Sequence, residues 1–111
     1  MAQYVLLLRG GEFKGYSSEE MQKITEQYLA WADKLRSEGR HCGGEELKNG
    51  GRLLRTQNGR IVDGPFTETK EMIGGFFMIL AQDFEEAARI AEECPHFRFG
   101  GEIELREIIP H

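Results

Sequence analysis

The apolar and polar positions of the chain follow two periods, one typical of strands and one typical of helices. Short apolar runs at residues 4–8 and 76–81, each beside a glycine pair, predict buried strands. Residues 102–106 alternate strictly between polar and apolar side chains, as a half-buried strand does. The pattern therefore predicts strands near both ends of the chain and one in its second half.

A hairpin is predicted in the middle of the chain. Two strand-like runs, at 53–55 and 60–62, flank Asn58-Gly59, and this dipeptide is a strong signal for a two-residue turn because both residues tolerate positive φ. Pro65 lacks a backbone donor and fixes φ, so the ladder of the hairpin is expected to stop near it.

Two helices are predicted between these strands. Residues 17–38 carry a capping box of Ser17 and Glu20, and Gly39 provides a stop signal. The apolar positions of this helix share one face and are Met21, Ile24, Tyr28, Trp31, Ala32 and Leu35. The second helix starts at Asp83, its N-cap, with Glu86 as capping-box partner, and ends at Pro95.

The order strand, helix, hairpin, strand, helix, strand is typical of a ferredoxin-like α+β fold. We therefore expect a single domain over residues 1–111, with an antiparallel sheet and two helices on one of its faces. A chain of 111 residues is within the usual size of one domain.

Composition and charge exclude several classes of function. With 14 Lys and Arg against 19 Asp and Glu, the net charge of −5 argues against nucleic-acid binding. The longest apolar run, residues 76–81, is far shorter than a membrane span, and no basic leader precedes the first strand. We expect a cytoplasmic protein that contacts no membrane, in which Cys42 and Cys94 are reduced thiols.

The strand at 76–81 is apolar on both faces, whereas two helices can cover only one face of a small sheet. The second face would expose a contiguous apolar patch, which usually marks an interface. We expect a homodimer joined through this sheet face. The alternative is that loops 43–52 and 96–101 fold over it.

Two residues are candidates for acid–base chemistry near a pocket between the first helix, the sheet and the Asp63 turn. The Asp63 carboxylate either accepts backbone N–H bonds of the Gly64–Thr67 turn or acts as a base, and the two roles are compatible. Tyr28, on the apolar helix face, is either a hydrogen-bonded core tyrosine or a phenol donor into a cleft.

The sequence also contains two pairs of ligand-type side chains, His41-Cys42 and Cys94 with His96. Structural zinc sites usually show a Cys-x₂₋₄-Cys pair, which is missing, so we expect no metal. His96 and His111 are expected at the surface. His96 is the better catalytic candidate of the two, because a loop after a helix often borders a pocket.

Arg9, after the first strand, and Arg55, in the hairpin, are candidate ligand-binding residues. If they converge, their guanidinium groups suit a small anionic or phenolic ligand. The glycine pairs lack phosphate-loop spacing, so no nucleotide and no other cofactor is expected.

The run Asp63-Gly64-Pro65-Phe66, continued through Glu71 and followed by Gly74-Gly75-Phe76-Phe77, resembles the signature of the YCII-related superfamily, in its Asp-Gly-Pro-Phe branch. The resemblance extends over essentially the whole chain. It implies a ferredoxin-like fold and a dimeric α/β barrel, and we add Phe66 to the candidate ligand-binding residues.

The resemblance implies less about chemistry. Some members resemble lyase-type enzymes that release chloride from chlorinated aromatic diols, with a His on the first helix and an Asp before the proline after the second. In this chain Tyr28 and Cys94 stand at those positions, and with ordinary pKa values near 10 and 8.5 they do not replace a His–Asp pair. Cys94, at a helix end on the apolar face, is expected to be an inert packing residue.

The leading hypothesis is a small-molecule enzyme or binder, lyase-like or isomerase-like, with catalysis through Asp63, Tyr28 or His96. The rival hypothesis is a non-catalytic dimeric interaction module with a regulatory role. A pocket lined by Tyr28, Asp63 and Arg9 would favour the first, and a filled interior with an exposed patch would favour the second.

Overall fold

A computed structural model describes residues 1–64 and 72–111; residues 65–71 lie outside the described part of the chain. The described residues form strands β1 to β6, helices α1 and α2, and a 3-10 helix between α2 and β6. Their bounds are β1 Ala2–Gly10, α1 Ser18–Ser37, β2 His41–Glu46, β3 Leu53–Gln57, β4 Arg60–Gly64, β5 Ile73–Ala81, α2 Phe84–Glu92, the 3-10 helix Pro95–Phe99 and β6 Gly101–Glu107.

Four strands form one antiparallel sheet in the order β2-β5-β1-β6. The central strand β1 aligns Tyr4 with Ile79 of β5 on one side and with Glu107 of β6 on the other. This strand order, with a helix after the first and the third strand of the sheet, is the ferredoxin-like α+β arrangement. The predicted fold class is confirmed.

The first helix begins where its sequence indicates. The Ser17 hydroxyl accepts a hydrogen bond from the Glu20 backbone N–H at 3.1 Å, and the Glu20 carboxylate accepts one from the Ser17 N–H at 3.0 Å. Both bonds of the predicted capping box are therefore present, and the Ser17 backbone N–H, with the nearby Ser17 side chain, lowers the pKa of the Glu20 carboxyl group. The helix spans Ser18–Ser37, within one residue of the predicted bounds.

Of the two hydrogen bonds predicted for the capping box of the second helix, only the one accepted by Asp83 is present. The Asp83 carboxylate accepts from the Glu86 backbone N–H at 2.8 Å. The Glu86 side chain does not return to the cap; it accepts from the Gln82 N–H at 3.0 Å and from the Arg40 guanidinium at 2.6 Å. The Glu86 carboxylate therefore links the start of α2 to Arg40, in the segment between α1 and β2, while the Glu86 backbone N–H donates to the N-cap.

Both helices cover the same face of the sheet, as predicted. The core contains Leu6 and Ile79, both fully buried, with Trp31 of α1 packed edge-on against Phe77 at a centroid distance of 5.1 Å. Ala87 and Ala91 of α2 complete the core on the other half of the sheet. Alternate residues of β1 and β5 point to the opposite face, where Val5 and Met78 align and remain partly exposed.

The edge strand β2 was not predicted, because His41–Glu46 shows neither alternation nor a β-branched residue. It pairs with β5, and its glycines are required there. Gly43 has φ +134°, and a Cβ on Gly44 would lie 2.7 Å from the Phe76 carbonyl oxygen. Residues 43–46 are therefore part of the sheet and do not fold over its second face.

The predicted hairpin is present as a separate two-stranded sheet, β3-β4. Asn58 and Gly59 have φ of 52° and 75°, which confirms the two-residue turn. The hairpin exposes Leu54 and Ile61, at 63% and 72%, and within residues 1–64 and 72–111 it has no ladder with the main sheet. Neither helix of the described chain is long and apolar enough to cross a membrane.

Candidate functional site

A cavity of about 540 Å³ lies between α1 and the sheet. Its walls are largely apolar, with Leu8 from β1, Ile24 from α1 and Phe77 from β5 among the lining residues. Tyr28 and His96 also line it. A mostly apolar cavity of this size with a few polar groups is typical of a small-molecule site.

A chain of two hydrogen bonds joins Tyr28, His96 and β1. The Tyr28 Oη lies 2.9 Å from Nδ1 of His96, and Nε2 of His96 lies 2.8 Å from the carbonyl oxygen of Arg9. A carbonyl only accepts, so Nε2 carries the proton and donates to Arg9. In the neutral imidazole Nδ1 is then an acceptor, and the Tyr28 hydroxyl donates to it. The contact to Arg9 thus fixes the tautomer of His96.

Local sequence holds the imidazole in place. Pro95 starts the 3-10 helix that carries His96, and Gly100 ends that helix in the left-handed conformation with φ +74°. The ring then lies against Gly101: a Cβ there would come within 3.0 Å of Nε2, Cδ2 and Cε1 of His96. Gly11, with φ +101°, leaves room for the ring on another side. The short glycine runs on both sides of the ring make this packing possible.

Burial keeps both members of the pair uncharged near neutral pH. His96 is 4% exposed, and desolvation lowers the pKa of its imidazole. Desolvation also raises the pKa of the Tyr28 phenol, with smaller contributions from Cys94 and Glu46. The pair is therefore a neutral phenol donating to a neutral imidazole. The expectation that His96 is a surface residue is wrong, because the 3-10 helix packs on α1 and β6.

Cys94, which precedes this helix, is 3% exposed and has no disulfide partner. Burial raises the pKa of its thiol to about 11. The thiol is therefore protonated at neutral pH, in agreement with the packing role expected from the sequence. Cys42 is also a free thiol, as expected, and burial raises its pKa as well.

Of the residues proposed from the sequence, the structure brings Tyr28 and His96 into contact. For Tyr28 the two alternatives coincide, because the hydroxyl is hydrogen-bonded and also lines the cavity. Arg9 contributes its backbone carbonyl. Its guanidinium instead forms an ion pair with Glu104 at 2.8 Å, and the side chain is not part of the described cavity lining.

Asp63 and Arg55 lie on the β3-β4 hairpin, and neither belongs to the described lining of the cavity. The Asp63 carboxylate is 3.5 Å from Arg52, in an exposed ion pair. Phe66 lies outside the described residues, as does the turn that follows Gly64. The proposed roles of Asp63, Arg55 and Phe66 therefore remain predictions.

Five further polar residues line the cavity: Thr25 and Arg36 of α1, and His41, Glu45 and Glu46 of β2. Arg36 lies eight residues after Tyr28, with Ala32 halfway, so the helical period of the sequence places all three on one stripe. That signal was available in the sequence, whereas the position of His41 depended on the unpredicted strand β2. Within residues 1–64 and 72–111, no three His, Cys, Asp or Glu side chains are grouped as a metal-ligand set.

The structure is that of an α+β protein of ferredoxin-like topology with a cavity between its first helix and its sheet. The model of the YCII-related domain matches residues 2–111, and the chain belongs to that family. A comparison with curated protein sequences gave no match.

Among solved structures, the chain is similar to 5-chloro-2-hydroxyhydroquinone dehydrochlorinase (TftG) from Burkholderia phenoliruptrix AC1100, in complex with 2,5-dihydroxybenzoquinone. The two share 17% identity at a TM-score of 0.53, over 98% of this chain and 95% of that one, a likeness that shows the fold. The protein At3g17210 from Arabidopsis thaliana matches at 14% identity and a TM-score of 0.42, over 100% of this chain and 96% of that one.

Proposed function

We propose that the protein is a small-molecule acid–base enzyme, or binder, of the YCII-related family, and that Tyr28 and His96 form its reactive pair. The hydrogen bond between them at the wall of the cavity carries the proposal. Its substrate class is a small compound with a phenolic or similar hydroxyl group. The apolar lining suits an aromatic ring, and Tyr28 offers the polar contact.

The pair can relay a proton without holding a charge at rest. A ligand O–H or C–H group gives its proton to the Tyr28 oxygen, while the Tyr28 proton moves to Nδ1 of His96. The products are a ligand anion and an imidazolium whose Nε2–H still donates to the Arg9 carbonyl. A positioned acid–base group of this kind typically contributes 10² to 10⁴ in rate. A ligand anion can then expel a leaving group, as in a lyase, or be reprotonated elsewhere, as in an isomerase.

The family resemblance gives this pair a specific interpretation. The enzyme-like members carry a His on the first helix and an Asp before the proline after the second, where this chain has Tyr28 and Cys94. We propose that His96, two residues beyond Cys94, supplies the imidazole from the other side of the cavity. The relay would then join the first helix to the segment after the second helix, as in the enzyme-like members, but through a Tyr and a His in place of a His and an Asp.

Thermal unfolding in the presence of phenol tests the site. A ligand at 100 times its Kd stabilises the folded state by about 2.7 kcal/mol, so we expect a raised Tm for the wild type. Tyr28→Phe and His96→Asn should reduce this shift, whereas Tyr16→Phe, a change at an exposed position, should leave it intact. An equal shift in all four proteins would contradict the proposal.

Chloride release from 5-chloro-2-hydroxyhydroquinone tests the enzymatic form, because that compound is named for the structural neighbour. We expect release by the wild type and loss of release by Tyr28→Phe. If the protein binds this compound and other hydroxylated aromatics but converts none of them, it is a binder and not an enzyme for this class of compound.

We also propose a homodimer through the sheet face opposite the helices. Val5 and Met78 align on that face, and the side chain of Met78 covers Gly43. Phe77 lies on the helix side against Trp31. Light scattering should give twice the 12.7 kDa chain mass for the wild type and a folded monomer for Met78→Asp. Phe77→Asp should unfold the chain instead. A wild-type monomer at micromolar concentration would refute the dimer.

The alternative function, a non-catalytic interaction module with a regulatory role, is favoured by the hairpin. Leu53, Leu54 and Ile61 are exposed there, on a hairpin that has no ladder to the main sheet in the described part of the chain. If this alternative holds, Leu54→Ser with Ile61→Ser would abolish a protein interaction, and no phenolic ligand would shift the Tm of the wild type.

A further inference from the structure

The β3-β4 hairpin is a basic projection on an acidic body. Residues 47–64 carry four Lys and Arg side chains against one acid, Asp63, so their charge is +3, and the rest of a chain of net charge −5 sums to −8. All five residues of β3 are exposed. The radius of gyration is 15.9 Å, whereas a compact domain of this length has about 13 Å. The hairpin therefore extends from a body of opposite charge.

One face of the hairpin combines the positive charges with apolar side chains. The register aligns Arg55 with Val62 and Gln57 with Arg60, and aligned or alternate residues share a face. Arg55 and Arg60 are both exposed on this face, and Leu53, which is 49% exposed, lies beside them. A two-stranded hairpin is only marginally stable alone in water, so a covering surface would stabilise it. This face suits an acidic protein surface with an apolar centre.

Such a surface lies at the start of α2. Phe84, the first residue of that helix, is 50% exposed and packs edge-on against Tyr4 at a centroid distance of 5.8 Å. Exposed carboxylates lie beside this ring: Asp83 and Glu85 flank it in the sequence, and Glu107 aligns with Tyr4 on the neighbouring strand. Arginine stacks on aromatic rings and pairs with carboxylates. We call this surface, residues 83–85 with Glu107, the acidic end.

Charge distinguishes the Phe84 ring from another exposed phenylalanine. Phe97 is 46% exposed, close to the value for Phe84, but Arg98 follows it and donates a hydrogen bond to Gln27. A cation beside the Phe97 ring would repel the arginines of the hairpin. Phe84 has a carboxylate on each side instead, so the acidic end is the complementary surface.

The hairpin and the acidic end lie at opposite ends of the main sheet. The hairpin leaves the sheet where β2 ends at Glu46 and β5 begins at Ile73, whereas Asp83 follows the last residues of β5. The nine residues of β5 separate these points by about 27 Å. Each strand of the hairpin has five residues, about 17 Å, and is shorter than this distance. The hairpin of one chain therefore meets an acidic end on a second copy.

We infer that the hairpin of each copy docks on the acidic end of a second copy, with Arg55 and Arg60 against Phe84, Glu85 and Glu107. A two-fold axis perpendicular to the strands reverses their direction, so the hairpin end of each copy faces the acidic end of the other. Both contacts form at once, and the pair is closed. The inference rests on the proposed homodimer and is independent of the chemistry proposed for the cavity.

Charge reversal with mixing tests this contact. Arg55→Glu with Arg60→Glu is the hairpin variant, and Glu85→Lys with Glu107→Lys is the acidic-end variant. Each should raise the Kd of the dimer about tenfold or more in analytical ultracentrifugation at low salt. An equimolar mixture should form heterodimers in excess of both homodimers, because reversed hairpin meets reversed end and the unchanged surfaces meet each other. Native mass spectrometry measures these proportions.

The matched control is Lys14→Glu with Lys23→Glu. Both lysines are exposed and lie outside the hairpin, and the double change alters the net charge by the same amount as the hairpin variant. The control should keep the Kd of the wild type. A Kd raised as much as in the hairpin variant would assign the effect to net charge and would contradict the docking.

A hairpin variant with the Kd of the wild type, or a mixture of the two variants in statistical proportions, would overturn the inference. If the wild type is then still a dimer that Met78→Asp dissociates, the sheet-face homodimer stands alone. A wild type that is monomeric at micromolar concentration refutes the homodimer and the docked hairpin together.

Discussion

The Tyr28 hydroxyl donates a hydrogen bond to Nδ1 of His96 over 2.9 Å. A third residue, Arg9, determines which of the two is the donor. The Arg9 carbonyl occupies Nε2 of the same ring at 2.8 Å and can only accept. His96 is therefore held as a hydrogen-bond acceptor toward Tyr28, and both side chains line the cavity. The Arg9 carbonyl of β1 thus determines that the Tyr28 hydroxyl of α1 is the donor in this hydrogen bond.

Removing the Tyr28 hydroxyl leaves Nδ1 of the buried His96 without its donor. For Tyr28→Phe we expect a loss of about 1–2 kcal/mol in the free energy of unfolding, the usual cost of an unsatisfied buried polar group. Urea unfolding measures it, with Tyr16→Phe at an exposed position as the control. A Tyr28→Phe midpoint equal to that of the wild type would show that the hydrogen bond is not formed in solution.

Stability should fall in mildly acidic solution because His96 is buried uncharged. Its folded pKa lies below the value of about 6.5 that an unfolded histidine has. As the pH falls through 6.5, the unfolded chain takes up a proton that the folded chain does not, so the free energy of unfolding decreases. The slope approaches about 1.4 kcal/mol per pH unit for one proton, and His41, whose pKa is also lowered, adds to it.

Urea unfolding between pH 7.5 and pH 5 measures this slope. His96→Asn should reduce it, and His111→Asn, at an exposed position, should not. Carboxyl groups of the unfolded chain begin to take up protons at the low end of this window, so Glu86, with its lowered folded pKa, adds to the slope there in the wild type and in both variants. An unchanged slope in His96→Asn would mean that His96 titrates equally in the folded and unfolded chain.

Gly101 makes room for the His96 ring, so Gly101→Ala should displace it. The added Cβ would fall within 3.0 Å of three ring atoms, and we expect a loss of about 1–3 kcal/mol, as for other overpacked sites. Gly74→Ala is the matched control, because an added Cβ there would have no other atom within 4 Å. Combining Gly101→Ala with His96→Ala should recover part of the loss, and an additive double variant would argue against this contact.

Cys94 should react slowly with thiol reagents in the native protein. Its thiol is 3% exposed, and its pKa of about 11 leaves little thiolate at neutral pH. Mass spectrometry of a time course should show Cys42, which is less buried, labelled before Cys94. Fast native labelling of Cys94 would make it a candidate nucleophile beside His96 and would require a different mechanism.

Signals that are local in sequence predicted most of the fold. Ser17 with Glu20, and Asn58 with Gly59, fix backbone geometry within four residues, and both were found as expected. Strand β2 was missed because Gly43 and Gly44 are required by the neighbouring strand β5, a contact that the local pattern does not encode.

The site was predicted only in part, for the same reason. Tyr28 is recognisable from its helix face, but the burial of His96 depends on Gly101 and on the Arg9 carbonyl, which only the folded chain brings together. Arg9 was proposed for its guanidinium and contributes its backbone instead. Arg36 was missed, although it lies on the same helical stripe as Tyr28, because its proximity to Asp33 and its position near the helix end resemble an ordinary solvated charge.

The account depends most directly on the protonation of His96 and on its link through Tyr28 to the cavity. Nitrogen-15 NMR of histidine-labelled protein at pH 7 measures both. We predict a neutral imidazole protonated on Nε2, whose Nδ1 signal shifts when phenol is added to the wild type and does not shift in Tyr28→Phe. An imidazole that is charged or protonated on Nδ1 at pH 7, or an Nδ1 signal that ignores phenol in the wild type, would contradict the account.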